Sequence, residues 1–199
     1  MRQIYNHYAP RAEQPEPPYR YCPHCAAELV PRPVGGRVRQ SCPQCRFVHF
    51  ANPAPAIVVL VLRPAPPQAP LEVLLGLRTG SPGAGKWALP SGYIEYDDDF
   101  LSAGRREVFE ETGLQVRITA VHNVLSSFMA AHYHFLTVTL LASPVEGDTP
   151  GPGDDLSQVG WFRLDTALPE MAFIEDVDAI RRVAQFPVPT LPVDPGFVG

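Results

Sequence analysis

Apolar residues crowd into short blocks along this chain, and the spacing inside each block predicts its element. Ala56 to Arg63 reads AIVVLVLR, a continuous apolar run of strand length, which predicts a central strand. Leu71 to Arg78 (LEVLLGLR) predicts the next strand, forming a hairpin with the first across the rigid turn Pro64–Pro70. Leu114 to Phe128 and Tyr133 to Ser143 alternate well enough to predict two more strands, and Gln158 to Leu164 a last one. Between these blocks the period changes. At about 100° per residue, Leu101, Gly104 and Val108 fall on one face, predicting an amphipathic helix that stops at Gly113, a C-cap candidate. Met171 to Phe186 predicts a closing helix. Near the start, Leu29-Val30 and Val34 to Arg39 suggest a small hairpin around Gly35-Gly36.

The remaining stretches read as connections. Phe50 to Pro53 is a linker, and Pro144 to Asp155 is a Pro/Gly/Asp loop. Thr79 to Lys86 is Gly-rich, but it lacks the Lys-Ser/Thr ending of a phosphate-binding P-loop. Residues 187–199, with four prolines, predict an extended or disordered tail. Residues 1–19 predict either an extended arm that docks through Tyr5, Tyr8 or Tyr19, or an unordered terminus. The expected organisation is therefore an arm (1–19), a small module (20–53), a main domain (54–186) and a tail (187–199).

With 199 residues there is room for one ordinary domain plus a small module. No apolar run approaches the roughly 20 residues that span a bilayer. The first 20 residues hold Pro10, Pro15, Pro17, Pro18 and mixed charges, which suits neither a signal peptide nor a transit helix. The expected location is the cytoplasm, with no membrane partner. A net charge of −5 argues against a generic nucleic-acid binder, yet a local basic patch remains allowed.

The predicted helix carries Glu107, Glu110 and Glu111 within one arc beside its apolar face. Like charges at i,i+3 and i,i+4 repel, by about 0.2–0.5 kcal/mol per pair. Glu110 and Glu111 also sit at the negative end of the helix dipole. A hard divalent cation would relieve both penalties. On these residues alone, a solvated acidic face is the competing reading.

All four cysteines lie in two knuckles, Cys22-Pro-His-Cys25 and Cys42-Pro-Gln-Cys45. Two CxxC pairs at this separation can place four thiolates tetrahedrally around Zn²⁺, making a zinc ribbon with no open coordination position. Disulfides are the alternative, and a reducing compartment disfavours them. His24 and His49 lie close by but read as surface residues. From Arg20 to Pro53 there are five arginines and one glutamate, which leaves a −9 balance for the rest of the chain. That basic patch could meet phosphates or nucleic acid, serve solubility, or touch the acidic domain. Nucleic acid is not favoured, because the ribbon shows little aromatic interleaving beyond Phe47 and Phe50.

Gly92, five residues, Asp98, seven residues and then Arg106-Glu107-Val108-Phe109-Glu110-Glu111-Thr112-Gly113-Leu114 resembles the Nudix hydrolase signature. Every fixed position matches except Asp98, where the family has Glu. Trp87-Ala-Leu-Pro-Ser-Gly92 resembles the Trp-x-Leu-Pro-Gly-Gly lead-in, with Ser91 in place of the first Gly of that pair. The resemblance implies an α/β fold, a Nudix-type α/β/α sandwich with a mixed sheet, and metal-dependent hydrolysis of a diphosphate joined to a nucleoside. It further implies that Glu107, Glu110 and Glu111 hold Mg²⁺ or Mn²⁺, oriented by Arg106. At Asp98, one methylene short, a role through water and a plain helix N-terminal acid beside Asp97 are both open. The general base is either a signature glutamate or an acid from a later loop, where Asp154-Asp155 stands and Asp155 is the candidate. Arg78 is a candidate phosphate ligand. Tyr93, Phe128, Tyr133 and Phe173 are candidates to stack a base, whereas His132 and His134 read as non-catalytic.

A Cys₄ ribbon before such a domain resembles both the NADH pyrophosphatases and a group of FAD/ADP-ribose pyrophosphatases. Tyr-Cys-x-x-Cys, the Asn-Pro after the second knuckle and Leu-Pro-x-Gly-Tyr-x-Glu match the second group. The Ser-Gln-Pro-Trp-Pro-Phe-Pro segment of the first group is replaced here by Ser126-Ser127-Phe128-Met129-Ala130-Ala131. The leading expectation is a pyrophosphatase for ADP-ribose, FAD or a related dinucleotide. The alternatives are a NAD(H) pyrophosphatase or RNA-cap hydrolase, and a non-catalytic nucleotide sensor. The expected partner is a small-molecule nucleotide, with a homodimer allowed.

Overall fold

In the computed structural model, residues 4–5, 19–64, 70–130, 133–185 and 191–192 are described. The turn at 65–69, His132 and most of the arm and tail therefore lie outside the described residues. The strands are β1 (Ile4–Tyr5), β2 (Val30–Val34), β3 (Arg37–Ser41), β4 (Ala54–Arg63), β5 (Glu72–Arg78), β6 (Trp87–Ala88), β7 (Ser91–Tyr93), β8 (Val116–Ala130), β9 (Tyr133–Pro144), β10 (Leu156–Arg163) and β11 (Leu191–Pro192). The helices are α1 (Phe100–Thr112) and α2 (Ile174–Gln185).

Strand β4 is central because both of its faces are apolar. Ile57, Val59 and Val61 point to one side and pack with Leu101, Ala103 and Val108 of α1. Leu60, flanked by Val58 and Leu62, points to the other side and packs with Ala179 and Ile180 of α2. One strand thus serves two cores, and the result is a Nudix-type α/β fold: a mixed sheet between two helices. The mixture is visible at β4 itself, which runs parallel to β9 and antiparallel to β5 and β7.

The β4–β5 hairpin predicted from the apolar runs is formed, but only at its base, through Leu62↔Val73 and Arg63↔Glu72. Beyond that point the strands diverge. β5 pairs with β10 and β6, while β4 pairs with β7. The short chain from Trp87 to Tyr93 fills the resulting wedge, bonding to β5 with its first half and to β4 with its second.

The second helix begins at Ile174 rather than at Met171. The physical reason is a competing backbone pairing. Trp87 N–H donates to Glu170 O and Ala172 N–H to Trp87 O, so residues 170–172 are extended alongside β6. At the other edge, β8 receives Ile4–Tyr5 in parallel and Leu191–Pro192 in antiparallel pairing, so these pieces of the arm and tail are strands.

Helix α1 is capped as its sequence suggests at one end and not at the other. Gly113 has φ 69° and its N–H closes on Phe109 O, the left-handed C-cap. The N-cap is Asp99, not Asp97 or Asp98: its Oδ1 accepts from Leu101 N at 2.7 Å and Ser102 N at 3.0 Å. Asp99→Ala should therefore lower unfolding free energy by about 1 kcal/mol, while Asp97→Ala should change it little. Urea denaturation of the two variants checks the assignment, and equal losses would contradict it.

Candidate active site and four-cysteine cluster

The signature helix and the wedge loop meet at a guanidinium. Arg106 Nε and Nη2 donate to Asp98 Oδ2 at 3.1 and 2.8 Å. Nη1 donates to Glu107 Oε1 at 2.7 Å and Glu110 Oε2 at 3.0 Å, and Nη2 also reaches Tyr93 O at 3.0 Å. Asp98 thus contacts Arg106 directly, neither through water nor as a helix cap. The shorter acid suffices because Arg106 projects back along the helix toward it.

Glu111 lies on the other side of this group and is 6% exposed. Its Oε2 accepts from Ser91 N at 3.3 Å. Burial, reinforced by the negative charges of Asp155 and Glu107, pushes its pKa up to about 8. Burial likewise raises Glu107. Gly92 explains itself here. A Cβ at that position would sit 2.1 Å from the Glu107 carboxyl carbon, so any other residue would have to push that carboxylate out of its place beside Arg106.

The loop before β10 carries Asp155 to the same place. Gly151 N donates to Thr112 O and Gly153 N to Glu111 O, which satisfies carbonyls left open at the end of α1. A Cβ on Gly153 would lie 2.3 Å from Glu110 O, so this close approach requires glycine. Asp155 Oδ2 then stands 3.6 Å from Arg78 Nη2, and Asp155 O accepts from Thr79. The turn-forming glycines and the acid beside them are one arrangement rather than two.

Arg78 extends the site into a cavity of about 220 Å³ beside β7. Its Nε donates to Pro82 O, and its guanidinium carbon lies 5.5 Å from the Phe173 ring centroid. Tyr93, Phe135 and Phe173 line this cavity, together with Ser127, Thr137, Thr139, Glu175 and Asp176. Phe128 does not. It is 8% exposed and stacked on His134 with ring centroids 3.9 Å apart, so it packs the interior instead of offering a free face. The side chain of Tyr133 lies outside the described residues. Phe135, Thr137 and Thr139 escaped the sequence reading, although their period-2 placement in a buried strand was the available signal. Asp176 is 3% exposed, and its Oδ2 accepts from Leu89 N at 3.0 Å. Burial, offset in part by that hydrogen bond and strengthened by Glu175, raises its pKa to about 7.

The two knuckles of the ribbon are near copies offset by 20 residues. Cys22 N donates to Ala27 O and Cys42 N to Phe47 O; Ala26 and Arg46 both have positive φ, 58° and 67°. This geometry turns N–H groups toward sulfur, with His24 N on Cys22 Sγ at 3.4 Å and Gln44 N and Cys45 N on Cys42 Sγ at 3.3 Å. Those last two donors, Cys45 first, lower the Cys42 pKa to about 6. All four sulfurs lie within 4.8 Å of one another, with no disulfide among them. Four convergent sulfurs with thiolate-stabilising donors fit a single metal ion. Among the described residues this is the one group of three or more ligand atoms so closely gathered. The signature carboxylates are coupled by charge but not drawn together, because Arg106 holds Glu107 and Glu110 to itself.

Comparison with known proteins agrees with this geometry. The NUDIX domain family matches residues 52–183. The chain belongs to the Nudix family. A Nudix hydrolase structure from Nitrosomonas europaea superposes with a TM-score of 0.72 at 25% identity, covering 84% of this chain and 91% of that one. Among curated proteins, the chain is 28% identical over 153 residues to the NAD-capped RNA hydrolase NudC of Chromobacterium violaceum. It is 29% identical over 154 residues to the protein of the same name from Deinococcus radiodurans. These alignments cover 76% and 77% of this chain, which spans about half of each relative, 52% and 51%. The fold, the four-cysteine cluster and these matches make the chain a Nudix-family protein related to the proteins named NudC. No helix among the described residues is long and apolar enough to cross a membrane.

Raised carboxyl pKa values carry a sign for stability. Folded Glu111 and Asp176 keep protons that the unfolded chain releases above its ordinary carboxyl range. The metal-free protein should therefore lose stability as pH rises from about 4.5 to about 8. Glu111→Gln should flatten part of that slope in chemical denaturation, leaving the Asp176 part below about pH 7. An unchanged slope would contradict the buried state of Glu111.

Proposed function

We propose that this Nudix protein hydrolyses the diphosphate of a nicotinamide dinucleotide, free or carried as the 5′ cap of an RNA. The observation that carries the reading is similarity, over about three quarters of the chain, to proteins named as NAD-capped RNA hydrolases. It takes precedence over the expectation of ADP-ribose or FAD. The cavity supports it chemically. Ser127, which donates to Glu175, lines the cavity with Thr137 and Thr139 as the polar groups that could meet a carboxamide or amino group between aromatic walls.

Glu107, Glu110 and Glu111 are the residues proposed to hold Mg²⁺ or Mn²⁺. The fit rests on buried Glu111, whose repulsion by Asp155 and Glu107 is only partly offset by Arg78, itself engaged with Asp155. Bound there, such ions supply charge shielding for the diphosphate and acidify water. Arg106 orients Glu107 and Glu110 through its hydrogen bonds to both. Asp155, held by Arg78 and by the glycine-anchored loop, accepts the proton of the attacking water. Arg78 spans the space between Asp155 and the cavity, and offers its remaining donors to a phosphate. The cysteine cluster holds one structural Zn²⁺. Residues 20–53 need it, because their buried apolar core amounts to Cys22, Leu29 and Cys42 with Ala27 and Phe47 against it.

ADP-ribose or FAD remains a second reading on one observation. Where the NADH pyrophosphatases resemble one another after the signature, this chain has the end of β8, with Ser127 lining the cavity. A panel of NADH, NAD-capped RNA, FAD and ADP-ribose with Mg²⁺ separates the two. The nicotinamide substrates should give the highest kcat/KM; a tenfold or greater preference for FAD or ADP-ribose would reverse the choice. In the same assay Glu111→Gln should reduce kcat by about 100-fold or more with the fold intact, and full activity would sink the metal-site assignment.

Metal analysis should find about one zinc per chain. Its removal by a chelator should unfold the ribbon, read as loss of amide protection in residues 20–53. Retained protection without zinc would contradict the structural role.

A further inference from the structure

Strand pairing in the ribbon gathers three arginines on one face. In the β2–β3 register Arg32 stands opposite Arg39 and Val34 opposite Arg37. Side chains alternate along a strand, so Arg32, Arg37 and Arg39 share a face while Pro31, Pro33 and Val38 occupy the other. Like charges directly across a strand pair repel. Nothing in the hairpin relieves this, since Val30 to Ser41 contains no acid. The ribbon's single carboxylate, Glu28, is engaged with Arg20 at 3.3 Å. Arg32 and Arg37 are exposed. The Arg39 guanidinium lies over the Phe50 ring at 4.5 Å, and Phe50 is 51% exposed. One surface thus joins a basic stripe, without an ion pair among the described residues, to an accessible aromatic ring.

We propose that this face binds single-stranded RNA, with backbone phosphates on Arg32, Arg37 and Arg39 and a base stacked at Phe50. An exposed ring beside cations suits a base splayed out of any duplex, whereas a paired helix buries its bases. An acidic peptide would answer the charge and leave the ring unused. The local excess of positive charge, in a chain whose remainder is strongly negative, confines a polyanion to the ribbon. The choice of RNA rests on the RNA arm of the proposed function, but the binding itself does not depend on which dinucleotide is cleaved.

The probe is a 5′-phosphorylated single-stranded RNA of about ten nucleotides, titrated at several salt concentrations. Wild type should bind with salt-sensitive affinity. Replacing Arg32, Arg37 and Arg39 together by Ser should lower the slope of log K against log salt by about 2, at roughly 0.7 per phosphate contact. Phe50→Ala should weaken binding about 5- to 100-fold with the slope retained. Zinc content and NADH turnover of both variants should equal wild type, which reports intact folding and reads the proposed activity separately. Unchanged RNA affinity and slope in both variants would overturn the proposal. So would polyglutamate binding as tight as RNA at equal salt, because the occupant would then be an acidic protein.

Discussion

The site depends on one half-buried guanidinium set among carboxylates. Arg106 binds Asp98, Glu107 and Glu110 and the carbonyl of Tyr93, and the hydrogen bond to Asp98 above all keeps it charged. Removing it would leave Asp98, Glu107 and Glu110 without their shared counter-charge, with Glu110 near the helix C-terminus, the end that repels it. With it in place, Glu107 and Glu110 are fixed on one side, and Glu111 is left on the other with Asp155 as its neighbour. The asymmetry is electrostatic: Arg106 pairs with one part of the cluster, and the other part is where an external cation is proposed.

What brings these groups together is the parting of β4 and β5. Because they pair only at their base, Leu89, Pro90 and Ser91 can enter between them. Those three consecutive residues bond in turn to α2 through Asp176, to β4 through Val59 N, and to α1 through Glu111. The cavity lies along this tie, so the groups that would grip a base and those that would hold a metal share one short piece of backbone. The glycine-anchored loop before β10 closes the arrangement from the far end of α1.

Much of this was legible in the sequence, for identifiable reasons. The unbroken apolar run of β4 reported burial on both faces, and the acidic arc of α1 stood out because clustered charge on a helix is costly. The paired CxxC knuckles carried their geometry in their spacing. What the chain did not reveal were interactions between residues far apart in number. Periodicity extended α2 back to Met171, since it cannot register the pairing of residues 170–172 with Trp87. It offered Phe128 as a base platform, since nothing local announces that His134 covers its ring. It could not tell which of three adjacent aspartates caps the helix, a matter of backbone direction. The cavity wall was missed because Thr137, Thr139 and Phe135 are unremarkable strand residues until β8 and α2 surround them.

Burial favours the protonated form of Glu111, so a divalent cation bound at the proposed site would have to displace that proton. Calorimetric titration of Mg²⁺ near pH 7, in two buffers of different protonation enthalpy, measures this directly. With a carboxyl pKa of about 8, binding should release about one proton per chain in wild type and almost none in Glu111→Gln. Mg²⁺ binding by wild type without proton release would contradict the account.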